Sequence, residues 1–301
     1  MIEVRTGSDS DIKKMGECYK FLEELKIPYT PRILSAHRTP QAMTIGAQNL
    51  SKEGFRVSIS AAGGSAHLPG MTASETLVPV VGLPIIGSTL SGLDSFLSIV
   101  QMPEGIPVGT VGSGMDRAAA ELATRIAYLD NLEVRNKLRS NLGLVPRSSI
   151  TSFSGISLIA GEDVSHECVD VVLRFAESIG VEVKQEIDGS TGVLIVCDRL
   201  DKDNKLAETH STTTEIPVVS LYFPDSRRSV ENGALHWMGL RRSKAPVALM
   251  GLNRYKNAVL YAAQIQALYN ERTRTVLEEY RQRMKQEVVD KNSRLTEKGI
   301  L

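Results

Sequence analysis

The chain has little of several things, and each shortage closes off a class of function. Three cysteines in 301 residues, Cys18, Cys168 and Cys197, are too few and too scattered for a disulfide framework or a Cys-rich zinc site. They read as free thiols in a reducing compartment. Net charge is absent. The 35 Lys+Arg balance 35 Asp+Glu, which argues against nucleic acid or a membrane surface as partner. Aromatics make up 5% of the chain, little material for base-stacking platforms. No run reaches the roughly 18 apolar residues of a membrane span. The chain opens on strand-like Ile2-Glu3-Val4 without the basic and apolar regions of a secretory signal, so a cytoplasmic protein is expected. HExxH, CxxC and paired-His spacings are missing, so no metal site is expected. GxSxG, GxGxxG and GxxxxGK[ST] are missing too.

What is present is an ordinary globular composition, 42% hydrophobic and 23% charged, long enough for about two domains and a large core. It is also a repeat. Ile2–Asp11 (IEVRTGSDSD) and Ile156–Ser165 (ISLIAGEDVS) both read as a short strand, a Gly-containing turn and a polar helix start. The register continues: Phe21 matches Phe175, Leu25 matches Ile179 and Ile27 matches Val181. Leu83–Ile86 matches Ile216–Val219, and Ile106–Gly112 matches Ala245–Gly251. Two diverged copies of one α/β unit are expected, over residues 1–145 and 155–301. The join falls in the aperiodic Ser/Gly/Pro-containing stretch Asn141–Gly155.

In the first copy, strands are expected near 2–6, 29–34, 56–61, 84–87 and 107–111. Met15, Cys18, Tyr19, Leu22 and Leu25 share one helical face. Further helices are expected over Pro40–Lys52, Leu93–Val100 and Arg117–Leu129. Short apolar runs alternating with helices indicate a parallel sheet covered on both sides, a three-layer αβα sandwich of the flavodoxin or Rossmann kind. Ligands bind such sheets at the carboxyl ends of the strands, which directs attention to three loops.

The first loop is Gly7-Ser8-Asp9-Ser10-Asp11. It suits a phosphate or ribose at a helix start; it equally suits plain capping by Ser10 or Asp11. The second is Ser35-Ala36-His37-Arg38-Thr39-Pro40. Pro40 fits a first helical turn and Thr39 its cap. Arg38 can fork onto a phosphate and His37 can move a proton near neutral pH; the alternative is an exposed pair with no role. The third, Ala61-Ala62-Gly63-Gly64-Ser65-Ala66-His67-Leu68-Pro69-Gly70-Met71, leaves backbone N–H groups accessible to a planar ring. His67 either brackets the loop or meets the substrate.

GSDSD, SAHRTP and AGGSAHLPGM, in this order, together with Gly92–Val111 (GLDSFLSIVQMPEGIPVGTV), resemble the PurE family of purine biosynthesis, closely over about residues 1–140. The resemblance implies conversion of N5-carboxyaminoimidazole ribonucleotide to 4-carboxy-5-aminoimidazole ribonucleotide. Carbon dioxide is released from the exocyclic nitrogen, trapped, and attacked by the ring carbon. It implies His37 as general acid/base. Ser8, Asp11 and Arg38 would hold the ribose phosphate, with Ser10 and Ser35 nearby. Gly63, Gly64, Ser65, Ala66, His67 and Leu68 would line the ring and carbon dioxide pocket. No cofactor and no metal are implied. Arg38 and the AGG-AHLPGM form resemble the mutase class; the class that carboxylates 5-aminoimidazole ribonucleotide directly has Lys at the Arg38 position. A PurE-like carboxylase that builds a nickel-pincer nucleotide is a further reading, which the intact SAHRTP disfavours, and a non-catalytic nucleotide-binding relative is another alternative. Ser65 and Gly109 stand where the family has Ala, and Gly112–Arg117 also departs.

The second copy keeps the scaffold without these loops. Glu162-Asp163-Val164-Ser165 replaces Ser8–Asp11, and the segment matching SAHRTP falls in a gap of about 18 residues. After Cys197 there is no glycine pair. His210, His236 and Arg241-Arg242 read as surface or interface residues. PurE enzymes are homo-octamers, so the resemblance implies a homotetramer of fused pairs, a pseudo-octamer. The tail from Glu271 reads as an amphipathic helix that frays from about Asp290.

Overall fold

The computed structural model describes residues 1–87, 90–146, 148, 155–199, 206–223 and 242–297. In the first half these form β1 (Ile2–Thr6), α1 (Asp9–Ile12), α2 (Gly16–Glu24), β2 (Tyr29–Ile33), α3 (Pro40–Gln48), β3 (Val57–Gly63), α4 (Leu68–Glu75), β4 (Val80–Ile85), α5 (Leu93–Val100), β5 (Gly109–Thr110), α6 (Asp116–Ala127) and α7 (Leu132–Asn141). The second half follows with β6 (Gly155–Ala160), α8 (His166–Ser178), β7 (Val183–Lys184), β8 (Thr191–Arg199), α9 (Leu206–Thr213), β9 (Val218–Phe223), β10 (Val247–Leu249), α10 (Tyr255–Ala267) and α11 (Glu271–Glu297).

All described strands join one sheet, in the order β2-β1-β3-β4-β5-β10-β9-β8-β6-β7. β1–β5 lie in the flavodoxin-like order 2-1-3-4-5. β6–β10 repeat that order in mirror sequence across the sheet. Every pairing is parallel except the one at the centre, where Thr110 of β5 meets Leu249 of β10 antiparallel. In the first half β2 leads through α3 into β3. In the second, β7 reaches β8 through residues 185–190 with no helix. SAHRTP has no counterpart there because the segment that would carry it is absent.

The strand alternation assigns the two faces. Ile2, Val4, Val57, Ile59 and Ala61 are buried in the main core with Met15, which precedes α2, with Cys18 and Leu22 of α2, and with Ala119 and Ala123 of α6. The opposite face of β1 and β3 carries Glu3, Arg5, Ser58 and Ser60, all fully buried under α3 and α4. β1 is therefore covered on both sides, as a central parallel strand must be. Its polar residues face protein, not water.

Several boundaries differ from expectation. β4 runs Val80–Ile85, not 84–87. Pro84 lies inside it, past the point where β5 pairs with Val81 and Gly82, so its missing N–H breaks no described rung on that side. α4 begins at Leu68 within a stretch that reads as loop, because Pro69 is tolerated in a first turn. α7 is a helix beyond those expected; it is capped by Asn131, whose side chain accepts from Val134 N at 3.0 Å. α11 continues as helix to Glu297, past the expected fraying at Asp290. His236 and Arg241 lie outside the described residues. No helix among those described is long and apolar enough to cross a membrane.

The seam between the halves explains one departure from the family pattern. A Cβ on Gly109 would lie 2.4 Å from the Tyr261 hydroxyl and 2.5 Å from Cζ, closer than atoms can approach. Only glycine leaves room for that ring, which is fully buried in α10. Around it, Asn257 Oδ1 accepts from Gly105 N at 2.8 Å, and its Nδ2 donates to Pro103 O at 2.9 Å. The Tyr269 hydroxyl donates to Ile126 O at 2.7 Å. Buried Arg125 donates to Thr214 O at 2.9 Å. Arg135 and Arg139 of α7 both bind the carboxylate of buried Glu215, the Arg139 contact at 2.8 Å.

Candidate active site

β1, β2 and β3 are neighbours, and their carboxyl ends deliver the three loops to one cleft of about 510 Å³. That size suits a small ligand. Its place is the β1/β3 switch point of the flavodoxin-like order. Gly7, Ser8, Asp11, Ser35, Ala36, His37, Arg38, Ala62, Gly63, Ser65, His67 and Leu68 line it. All belong to the first half.

The first loop is tightened by its own hydroxyls. Thr6 Oγ1 donates to Ser8 O at 3.1 Å, and Ser8 Oγ donates to Asp11 Oδ2 at 2.8 Å. Ser10 Oγ lies 2.8 Å from Ser8 Oγ, so Ser10 supports the wall without lining it. Ser8, not Ser10 or Asp11, occupies the N-cap position. α1 has only 4 residues, too short for the helix dipole to matter much. A phosphate here must rely on Arg38 and hydroxyl donors. Asp11, an acceptor only, suits sugar hydroxyls rather than phosphate.

The second loop is locked by a local network. Ser35 N donates to Thr39 Oγ1 at 2.9 Å, Thr39 Oγ1 donates to Ser35 O at 3.2 Å, and Arg38 N donates to Ser35 Oγ at 3.1 Å. Thr39 stands at the N-cap of α3, yet its hydroxyl ties back to Ser35 and not forward into the helix. This holds His37 and Arg38 at the strand end. Arg38 Nη2 donates to Gly7 O at 2.9 Å, bridging the first two loops. Among the described residues Arg38 has no carboxylate partner, which leaves its charge available to an anion.

The third loop turns at Gly64, whose φ of 60° lies in the left-handed region that glycine enters at no steric cost. Gly64 and Ala66 do not line the cleft; Ala66 is buried beneath it with Met43, Leu68 and Ala73. His67 N donates to Ser65 O at 2.9 Å. The imidazole of His67 then meets the second loop. His37 Nε2 and His67 Nδ1 are 2.8 Å apart, with the rings edge to face at 5.0 Å between centroids. One proton sits in that contact. His37 Nδ1 and His67 Nε2 have no partner among the described residues, so the pair has two outward nitrogens. If His37 donates, His37 Nδ1 is a base and His67 Nε2–H an acid; if His67 donates, the roles exchange. A proton taken at one end can leave at the other.

The cleft unites the three loops that the sequence marks and adds Gly7, Ala36 and Ala62, which lie inside the same motifs and contribute backbone or small side chains. The His37–His67 contact is visible in neither motif, because residues 30 apart in sequence meet only through the parallel pairing of β1 with β2 and β3.

The profile of the AIR carboxylase family matches residues 1–142. The chain is 48% identical over 139 residues to the N5-carboxyaminoimidazole ribonucleotide mutase of Pyrococcus horikoshii, covering 46% of this chain and 78% of that one. It is 50% identical over 126 residues to the phosphoribosylaminoimidazole carboxylase of Schizosaccharomyces pombe, 42% of this chain but only 23% of that longer protein. The crystal structure of Treponema denticola PurE is similar at 26% identity with a TM-score of 0.43, covering 47% of this chain and 89% of that one.

Proposed function

We propose, from the premise that this chain belongs to the AIR carboxylase family, that it converts N5-carboxyaminoimidazole ribonucleotide to 4-carboxy-5-aminoimidazole ribonucleotide in purine biosynthesis. The observation that carries this reading is the imidazole pair in a cleft that also holds Arg38, which has no carboxylate partner among the described residues.

The chemistry is an isomerisation. The N–carboxylate bond breaks, carbon dioxide leaves, and the exocyclic nitrogen gains a proton. The electron-rich ring carbon then attacks carbon dioxide and loses its own proton. One proton is supplied and one is recovered, so the site needs a group that gives and then takes. His37 does this, with His67 holding its ring and sharing the proton. Ser8 and Arg38 hold the phosphate, Asp11 the ribose hydroxyls, and Ser35 braces Arg38 N. Gly63, Ser65 and Leu68 form a wall with few long side chains, which leaves room for the ring and the released carbon dioxide. Replacing one carboxylated nucleotide by another calls for no net redox change.

Comparing turnover of N5-carboxyaminoimidazole ribonucleotide with that of 5-aminoimidazole ribonucleotide plus bicarbonate tests the reading. Rapid conversion of the first is expected. Preference for the second would make this chain a direct carboxylase, and turnover of neither would make it a binding relative. We further propose that four chains assemble as a pseudo-octamer, supported by the two copies of one strand order in a single sheet. A solution mass near four chains of 32.9 kDa is expected; a mass of one or two chains contradicts it.

A further inference from the structure

We propose that the buried Glu3–Arg5 pair of β1 is a positioning element that sets the contact between His37 and His67; its relevance to turnover rests on the mutase reading above. Both side chains are 0% exposed. The pair is bidentate, Arg5 Nη2 to Glu3 Oε1 at 2.9 Å and Nε to Oε2 at 3.1 Å. Ser58 Oγ from β3 donates to Glu3 Oε2 at 2.6 Å, and Arg32 of β2 lies 3.6 Å from Oε1. Glu3 is thereby fixed by all three strands whose ends build the cleft.

The remaining nitrogen of the guanidinium faces the helices. Arg5 Nη1 donates to Thr72 Oγ1 of α4 at 3.2 Å and approaches Met43 O of α3 at 3.4 Å. Thr72 Oγ1 in turn donates to Leu68 O at 2.8 Å, at the first residue of α4. Gly46 of α3 lies over the same guanidinium: a Cβ there would be in ordinary contact with Arg5 Nη2, at 3.4 Å. One side chain thus sets the distance of α3 and of α4 from the sheet, and hence from each other. α3 begins two residues after Arg38, and α4 begins directly after His67. A short helix moves as a rigid unit, so the spacing of the two helices is transmitted to the two imidazoles.

A buried ion pair is a poor source of stability, since apolar residues of similar volume serve as well or better. What it supplies here is direction. A planar guanidinium fixes two helices at defined angles, whereas a methyl-bearing chain in the same space would allow them to slide.

The test uses the full chain with Glu3→Leu and Arg5→Met combined, with Arg5→Lys and Thr72→Val as milder variants. The first readout is the imidazole 15N and downfield N–H spectrum of the His37–His67 hydrogen bond, which needs no substrate. The second is kcat. The double variant is expected to fold with a melting temperature near wild type, to lose or shift the shared-proton signal, and to turn over at least ~10-fold more slowly, since a 1 Å misplacement can cost more than that. Arg5→Lys, which cannot hold Glu3 and both helices at once, and Thr72→Val should shift the signal in the same sense by less. A folded double variant with the wild-type imidazole signal overturns the proposal. Should it fail to fold, an unchanged signal in both milder variants overturns it equally. A wild-type protein without turnover refutes the mutase reading and leaves this result to stand on the spectrum alone.

Discussion

His37→Asn is expected to abolish turnover, lowering kcat by about 10²–10⁴-fold, the range that a positioned general acid/base contributes. Asparagine preserves much of the geometry. Its side-chain nitrogen overlays Nδ1 and falls short of Nε2, so the contact with His67 is lost, but the Ser35–Thr39 network that holds Arg38 is left in place. Nucleotide affinity should therefore stay within about threefold while kcat collapses, the pattern of an interaction needed for chemistry and not for binding. His67→Asn should also lower kcat, by less, because the remaining imidazole can still exchange its proton with solvent. Arg38→Ala should do the reverse and weaken binding first. Paired measurements of kcat and of nucleotide affinity on these variants check the division of labour. Activity retained in His37→Asn would show that the proton moves by another group.

The second large effect concerns the seam. Glu215 is buried, and its carboxylate binds Arg135 and Arg139, which reach it from α7 of the other half. Burial pushes its carboxyl pKa up, but a backbone hydrogen bond and the two guanidinium groups outweigh that and hold it below the ordinary glutamate range. Glu215→Ala leaves the buried Arg135 charge without this partner and should cost about 3–5 kcal/mol in urea unfolding. The pH dependence follows from the sign of the shift. A carboxyl held below its unfolded value stabilises the fold fully above that value, about 4.3, and the contribution is lost as pH falls through the lower folded pKa. Wild type should therefore lose stability below about pH 4.3, and part of that acid limb should vanish in Glu215→Ala. An unchanged limb would mean that the carboxylate is not coupled to folding.

Much of the fold was legible because it rests on local signals. Ile2–Thr6, Tyr29–Ile33 and Leu93–Val100 are short and apolar or strongly amphipathic, and the repeat aligned the strands of both halves. The candidate loops were legible for the same reason, since Gly, Ser, His, Arg and Pro mark strand ends in this architecture. What stayed hidden depends on contacts across the chain. The alternation of Glu3 and Arg5 with Ile2 and Val4 does not reveal their ion pair or its reach to Met43 and Thr72, which depends on how α3 and α4 cover the sheet. The reason for Gly109 lies far away in sequence, in Tyr261, whose ring fills the space that a Cβ would need. α4 was hidden by Pro69-Gly70, which reads as a turn unless the start of the helix is known. The His37–His67 bond belongs to neither loop alone.

The most direct measurement follows a 13C label placed in the carboxyl group of N5-carboxyaminoimidazole ribonucleotide, incubated with the full chain in unlabelled bicarbonate. Carbon dioxide that stays in the cleft between release and recapture predicts a ring-carbon carboxylate that retains nearly all of the label. Product carrying the unlabelled carboxyl of the buffer, or no product at all, would contradict the account.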